Sequence, residues 1–390
     1  MLESLHIKNF RSCEDVQIQM GEPVVALVGK NGVGKTNLLH ALQLVADLCA
    51  GDPESMFGFV PRDRSSPTEF SLIFSLDGVK YEYAARRTSP PATKDLFEEV
   101  LTRDGQLLFE RNGESLNAGM LLPPGGLQIG LRAASLPSLL QILPQTGRAT
   151  AALRPVSEYL RAIRYYPLLQ GFQEHVSERS PVIESQLYET WKAQLTQGIP
   201  PRSVQLRLLH MWLEDKPRFG ELTALLGEDG LGLIAEMRIE EIALRRPDKD
   251  ENASGQAYSI SFMPGTGLAG AGRWFRSSGL SAGTWRILQL LTYLVFDRTS
   301  CMLLEQPEDC IHPGLLAKVI DILRTYAGRT QLICTTHSPR VMNLVGGKGI
   351  RFVTANDGQT RVKSLTPAQL AAAATYLADE GTLSEFLDTL

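Results

Sequence analysis

Gly29-Lys30-Asn31-Gly32-Val33-Gly34-Lys35-Thr36 decides how the rest of the chain is read. It fits the pattern G-x-x-x-x-G-K-[ST], in which glycines let the backbone curl until its N–H groups face phosphate oxygens. The run before it, Pro23-Val24-Val25-Ala26-Leu27-Val28, is short, apolar and valine-rich, as a buried parallel strand is. Residues 36–50 after it carry apolar side chains at helical spacing. A helix starting there would aim the positive end of its dipole at the same phosphates. Lys35 is expected to neutralise the β- and γ-phosphates of a nucleotide, and the Thr36 hydroxyl to bind Mg²⁺. Asn31, Gly32, Val33, Gly34 and Asn37 complete the expected nucleotide-binding segment.

Working outward, residues 5–19 read as two short strands around a turn at Asn9-Phe10-Arg11-Ser12. From residue 69 to about 114 apolar and polar residues alternate, with Asp-Gly and Asn-Gly pairs at hairpin positions, which predicts an antiparallel sheet. Residues 136–226 are mostly of helical period, broken at Pro200-Pro201, with no heptad run long enough for a coiled coil. Strand-like stretches return at 237–245 and 257–263. The last third then alternates helix and strand, as a parallel α/β sheet requires.

Three further segments in that last third can carry chemistry. Leu280-Ser281-Ala282-Gly283-Thr284 precedes a helical run, and Ser281 suits an N-cap beside an anion site. Cys301-Met302-Leu303-Leu304-Glu305-Gln306-Pro307-Glu308 is an apolar strand ending in acids, one of which could hold Mg²⁺ beside the phosphate loop. Thr335-Thr336-His337-Ser338 follows the apolar run Gln331-Leu332-Ile333-Cys334 and places an imidazole at a strand end. Each has a plainer reading alone: a capped helix, a solvated strand end, an ordinary surface histidine. Their order behind the phosphate loop is what gives them weight.

In that order the chain resembles the RecF/SMC/OLD branch of the ABC-type ATPases, the group often labelled AAA family ATPase. The resemblance rests on Ile7-Lys8-Asn9-Phe10-Arg11-Ser12, the phosphate loop, Leu280 to Arg286, Leu303 to Pro313 and Thr335 to Pro339. It covers roughly residues 1–45 and 275–345, and no long coiled coil or TOPRIM nuclease domain is expected beside them. The implied fold is α/β: an ABC-ATPase head with a mixed or parallel phosphate-loop sheet, an antiparallel β subdomain and a helical insertion. The expected organisation is 1–135 as the first part of the head, 136–235 as the insertion and 236–390 as the second part.

The resemblance also implies a mechanism. Two heads sandwich two ATP molecules, each held by the phosphate loop of one chain and the LSAGT segment of the other. Lys35, Thr36, Glu305 and His337 would act from one chain, Ser281 and Gly283 from a second copy, and Arg11 would approach the nucleotide. Thr36 and Glu305 would be the Mg²⁺ ligands. An interdomain glutamine is expected in the middle region, with Gln141 and Gln145 as candidates. The position after the metal acid usually carries the glutamate that takes a proton from the attacking water; here it is Gln306. Loss of a general base slows a reaction by about 10²–10⁴-fold, so slow turnover is expected unless Glu308 or His337 compensates.

The implied role is an ATP switch acting as a homodimer on a separate effector, a nuclease or a toxin, in DNA repair or anti-phage defence. The alternatives are an ABC transporter motor and a scaffold that holds ATP without hydrolysing it. Bulk composition fits a globular protein of 390 residues: 43% are hydrophobic and the net charge is −4, so charge alone gives no nucleic-acid footprint. The five cysteines form no C-x-x-C pair and no zinc-type set. Neither a secretory signal nor an apolar run of roughly 20 residues is seen, so a cytoplasmic protein without a membrane partner is expected.

Overall fold

The computed structural model describes residues 1–88, 96–118, 121, 127–128, 134–144, 147–166, 168, 182–196, 203–245, 254–268, 270 and 272–378. Gln145 and the Pro200-Pro201 break lie outside these residues. By contacts the chain forms two compact units. The first is Met1–Tyr166 with Thr299–Pro307 and Arg324–Leu390; the second is Pro167–Arg298 with Glu308–Leu323.

In the first unit β1 (Leu2–Phe10) and β2 (Cys13–Gln19) form the hairpin expected around Asn9 to Ser12. β3 (Val24–Val28) runs into the phosphate loop and α1 (Lys35–Ala50) follows. An antiparallel sheet then builds from β4 (Thr68–Leu76), β5 (Val79–Thr88), β6 (Leu96–Arg103), β7 (Gln106–Asn112), β8 (Ser115–Asn117) and β9 (Leu127–Gln128), with β1 and β2 at its other end. Asp77-Gly78 and Asp104-Gly105 turn its hairpins with positive φ at both residues, the backbone a two-residue turn between twisted strands needs. Leu72, Phe74, Tyr83, Leu101 and Phe109 point inward at strand period and are buried with Leu38, Leu42 and Val45 of α1 in one core.

Two helices, α2 (Ser135–Ile142) and α3 (Arg148–Arg161), and a strand, β10 (Ile163–Tyr166), close this half. The sequence places these residues in a helical insertion starting at 136. Contacts put them in the first unit, because α3 packs on α1 and β10 pairs with a strand from far along the chain. The first stretch of the first contact unit accordingly runs to Tyr166.

The second unit contains β11 (Val182–Glu184), α4 (Ser185–Thr196), α5 (Val204–Glu214), α6 (Lys216–Leu226), the long strands β12 (Ile234–Arg245) and β13 (Ser254–Pro264), β14 (Phe275–Arg276) and α7 (Ala282–Phe296). α7 is apolar almost all round and is packed by α5 and α6. Beside it the buried Arg207 of α5 donates to Asp297 at 2.8 Å, so a charge inside this core is paired.

The chain then returns to the first unit with β15 (Cys301–Glu305). Most of α8 (Pro313–Tyr326) belongs to the second unit, and β16 (Gln331–Thr336), α9 (Pro339–Val345), β17 (Ile350–Asn356), β18 (Gln359–Ser364) and α10 (Pro367–Ala378) lie in the first. The strand order is β10-β15-β16-β3-β17-β18, with every neighbour parallel except the β17–β18 hairpin. This is the expected phosphate-loop sheet, with β3 between β16 and β17. Glu305 pairs with Thr335 and Thr336 with Val28, so the ends of β15, β16 and β3 lie level. Open parallel sheets bind ligands outside such carboxyl ends. Among the described residues no helix is long and apolar enough to cross a membrane.

Candidate functional site

The loop after β3 curls as its glycines require. Gly34 caps α1 with φ 100°, and a Cβ there would lie 2.0 Å from Thr360 Oγ1 and 2.6 Å from Ser12 Oγ. Those two hydroxyls hydrogen-bond each other at 2.7 Å, Thr360 reaches the Val33 carbonyl at 2.9 Å, and Asn37 Nδ2 donates to Ser12 Oγ at 2.7 Å. The β1–β2 turn and the β17–β18 hairpin thus grip the loop from outside. Lys35 spans it: its ammonium donates to the carbonyls of Gly29 at 2.6 Å and Lys30 at 2.9 Å.

A cavity of about 380 Å³ lies over this loop, lined by Asn31, Gly32, Gly34, Lys35, Thr36, Asn37, Glu305, Gln306 and Thr335. Apart from Val33, the sequence-expected residues from the phosphate loop therefore meet those at the end of β15 in one place. The Thr36 hydroxyl donates to Glu305 Oε1 at 2.5 Å. A hydroxyl and a carboxylate touching in this way are hard oxygen donors of the kind Mg²⁺ takes. With the N-terminus of a sixteen-residue helix and a lysine ammonium beside them, they can hold a polyphosphate and its cation.

Gln306 stands just past β15 in the left-handed region, φ 43°. Its N–H points at both the carbonyl (3.1 Å) and the hydroxyl (3.2 Å) of Thr335, and its Nε2 lies 3.1 Å from His337 Nδ1. His337 is exposed and outside the cavity lining; it reaches the cavity through Gln306.

Other expected residues lie elsewhere. Arg11, also at positive φ, is not in the lining; it stands behind α1, donating to Asn37 Oδ1 at 3.3 Å with NH1 2.5 Å from His40 Nδ1. Val33 turns its carbonyl to Thr360 and also lies outside the lining. Gln141 is exposed on α2. Ser281, Gly283 and Glu308 belong to the second unit. There Ser281 caps α7, accepting from the Thr284 N–H at 3.1 Å, and a Cβ on Gly283 would lie 2.4 Å from the Cys310 carbonyl. The Glu308 carbonyl accepts from Ile311 N at 3.1 Å.

Two residues near the cavity escaped the sequence reading. Tyr165 of β10 donates its phenol to Glu305 Oε2 at 2.5 Å, and His40 sets its ring edge-on to Tyr165 with centroids 5.1 Å apart. Burial first, then the neighbouring Arg11 charge, holds the His40 pKa below its ordinary 6.5, so this ring favours the neutral form that accepts from Arg11. The available signal was slight: His40 falls one helical turn after Thr36, and Tyr165 sits in a short β-branched and aromatic run that ends before a proline.

Comparison with known proteins gives partial sequence matches and whole-chain likenesses of fold. A domain family described as "AAA ATPase domain" matches residues 1–88, and one described as "AAA domain, putative AbiEii toxin, Type IV TA system" matches residues 238–343. The OLD nuclease of Thermus scotoductus is 51% identical over 45 residues, 12% of this chain and 8% of that protein. The DNA replication and repair protein RecF of a Synechococcus strain is 49% identical over 47 residues, 12% of each chain. The DNA double-strand break repair Rad50 ATPase of Archaeoglobus fulgidus is 37% identical over 81 residues, 21% of this chain and 9% of that one. The matched stretches thus span only a small part of these relatives. A solved SMC head, bound to the C-winged helix domain of ScpA, shares the fold with a TM-score of 0.55 at 17% identity, over 95% of this chain and 99% of that chain. A second SMC head, bound to a ScpA domain from Pyrococcus furiosus, gives 0.51 at 16% identity, covering 97% of this chain and 98% of its own. The chain thus shares the head fold of these SMC structures over nearly its whole length, and it carries AAA-type ATPase domain matches and local sequence similarity to RecF, Rad50 and OLD proteins of the ABC-type P-loop ATPases.

Proposed function

We propose that the chain binds Mg-ATP in the cavity over the phosphate loop, hydrolyses it slowly, and uses the bound nucleotide to join two copies head to head. The observation that carries this is the meeting of Lys35, Thr36 and Glu305 in one cavity at the carboxyl ends of β3 and β15. In this reading the loop N–H groups and Lys35 bind the phosphates. Thr36 and Glu305 hold Mg²⁺, which would neutralise charge on the β- and γ-phosphates. Gln306 orients the attacking water, and His337 supports the Gln306 amide. Ser281 and Gly283 of a second copy close the site over the γ-phosphate.

Gln306 also favours a second reading, a scaffold that holds ATP with no turnover, since an amide cannot accept the proton that a carboxylate would. The relatives named for DNA repair, the OLD nuclease and the toxin-system family support a switch acting on a separate effector, a nuclease or toxin, in DNA repair or anti-phage defence. The first test is Lys35→Ala by titration calorimetry with Mg-ATP. Binding should fall below detection while the thermal unfolding profile stays that of a folded chain. Unchanged affinity would remove the nucleotide site from this loop.

A further inference from the structure

We propose that Tyr165 is the positioning residue for the Glu305 carboxylate, holding it in the orientation that takes the divalent cation. The proposal rests on the Mg-ATP reading of the same cavity. The geometry follows from the sheet. β10 and β15 are parallel, with Tyr165 level with Leu303. Side chains two residues apart on a strand share a face, so Glu305 lies on the Leu303 face, one step further toward the carboxyl end. A tyrosine on the neighbouring strand is long enough to cover that step, and its phenol meets Oε2 at 2.5 Å.

Glu305 is therefore held on both oxygens by hydroxyls of different kinds. Thr36 donates to Oε1 and is itself a proposed cation ligand. Tyr165 donates to Oε2 from the neighbouring strand and so fixes the carboxylate plane from the side opposite Thr36's bond. Its own freedom is small. The residue is 7% exposed, its backbone N–H donates to Gln43 Oε1 of α1 at 2.7 Å, and its ring leans on the edge of His40, which Arg11 holds in turn. Hydrogen-bond partners behind a metal ligand commonly change metal affinity or activity by about 10–100-fold when removed. A phenol on the carboxylate of a proposed ligand is such a partner, and a packed tyrosine is a rigid one.

The test is a Mg²⁺ titration of nucleotide binding at fixed ATP, read by fluorescence of a bound ATP analogue, so that turnover plays no part. Tyr165→Phe keeps the ring and removes only the hydroxyl. It should raise the Mg²⁺ midpoint by about 10-fold or more, leaving the weak metal-free affinity in EDTA unchanged. In a Glu305→Gln background the same substitution should have no further effect on the midpoint. His40→Ala, which keeps the phenol but removes its support, should raise the midpoint several-fold; it carries the test if Tyr165→Phe does not fold. A midpoint within about twofold of the parent chain in whichever of the two variants folds would overturn the proposal. An effect of Tyr165→Phe that persists undiminished in the Glu305→Gln background would also overturn it, because the phenol would then act elsewhere. A parent chain that shows no Mg²⁺-dependent binding would instead remove the nucleotide reading, and with it any role of Tyr165 in that site.

Discussion

Gln306 concentrates the chemical question of the site in one residue. A glutamine held at φ 43° is in a backbone region that costs a non-glycine residue about 1–3 kcal/mol. The two acceptors that Thr335 offers to its N–H keep it there, and the turn aims the side chain at His337 and the cavity. An amide in that place can donate to His337 and offer its oxygen to a water, but it has no basic site for the water's proton. Gln306→Glu should therefore raise the single-turnover rate of ATP hydrolysis by about 10²-fold or more. The carboxylate would stand where the amide stands, and His337 would have to donate to it where it now accepts. If proton transfer runs through Glu308 or His337 instead, the substitution will leave the rate nearly unchanged, and Glu308→Gln or His337→Ala will be the damaging variant. The sequence alone made Gln306 legible as a departure from the usual glutamate. It could not reveal the positive φ or the His337 contact, because both depend on where β16 ends beside β15.

Among the elements, the phosphate loop was legible because its requirements are local: a buried strand, glycines, Lys35 and a helix start all sit within one stretch. Its outer supports were not, because they come from distant sequence. Thr360 reaches the loop from the β17–β18 hairpin and Ser12 from the β1–β2 turn. β10 was missed for the same reason. Ile163-Arg164-Tyr165-Tyr166 is too short to break a helical pattern by itself, and it becomes a strand by pairing with Cys301 to Leu304 across more than a hundred residues. The Asp-Gly hairpins, whose signal is two adjacent residues, were read from the sequence directly. The support from Thr360 can be tested. Thr360→Val keeps the shape but strips the hydroxyl from the Val33 carbonyl and the Ser12 hydroxyl, leaving buried polar groups without that partner. A loss of about 1–3 kcal/mol in unfolding free energy is expected by chemical denaturation. ATP affinity should weaken with it, since the loop loses its outer clamp. Thr360→Ser, which restores the hydroxyl, should recover most of both losses.

For the whole molecule, the segments that carry the chemistry are far apart in sequence and fall in two contact units. Lys35, Thr36, Glu305, Gln306 and His337 are in the first, and Ser281 and Gly283 are in the second. The proposal that a second copy supplies Ser281 and Gly283 makes a prediction about mixtures that no single-chain reading makes. A Lys35→Ala chain cannot hold the phosphates but keeps a sound Ser281 face. A Ser281→Arg chain binds ATP but sets a bulky cation where the serine should meet the γ-phosphate of the opposite copy. Each should be nearly inactive alone. In a mixed dimer one site joins the intact phosphate loop of the Ser281→Arg chain to the intact Ser281 face of the Lys35→Ala chain, while the other site carries both lesions. Because ATP-dependent pairing then occurs only between unlike chains, each dimer has one sound site of two, so at equal concentrations up to roughly half of the parent ATPase rate is expected if the sites act independently. Sedimentation velocity should show ATP-dependent dimers in the mixture and none in Lys35→Ala alone. If hydrolysis needs both sites at once, the mixture will still form dimers in ATP but will not recover the rate. If both variants keep full activity alone, or the mixture forms no ATP-dependent dimer, the second copy does not complete the site.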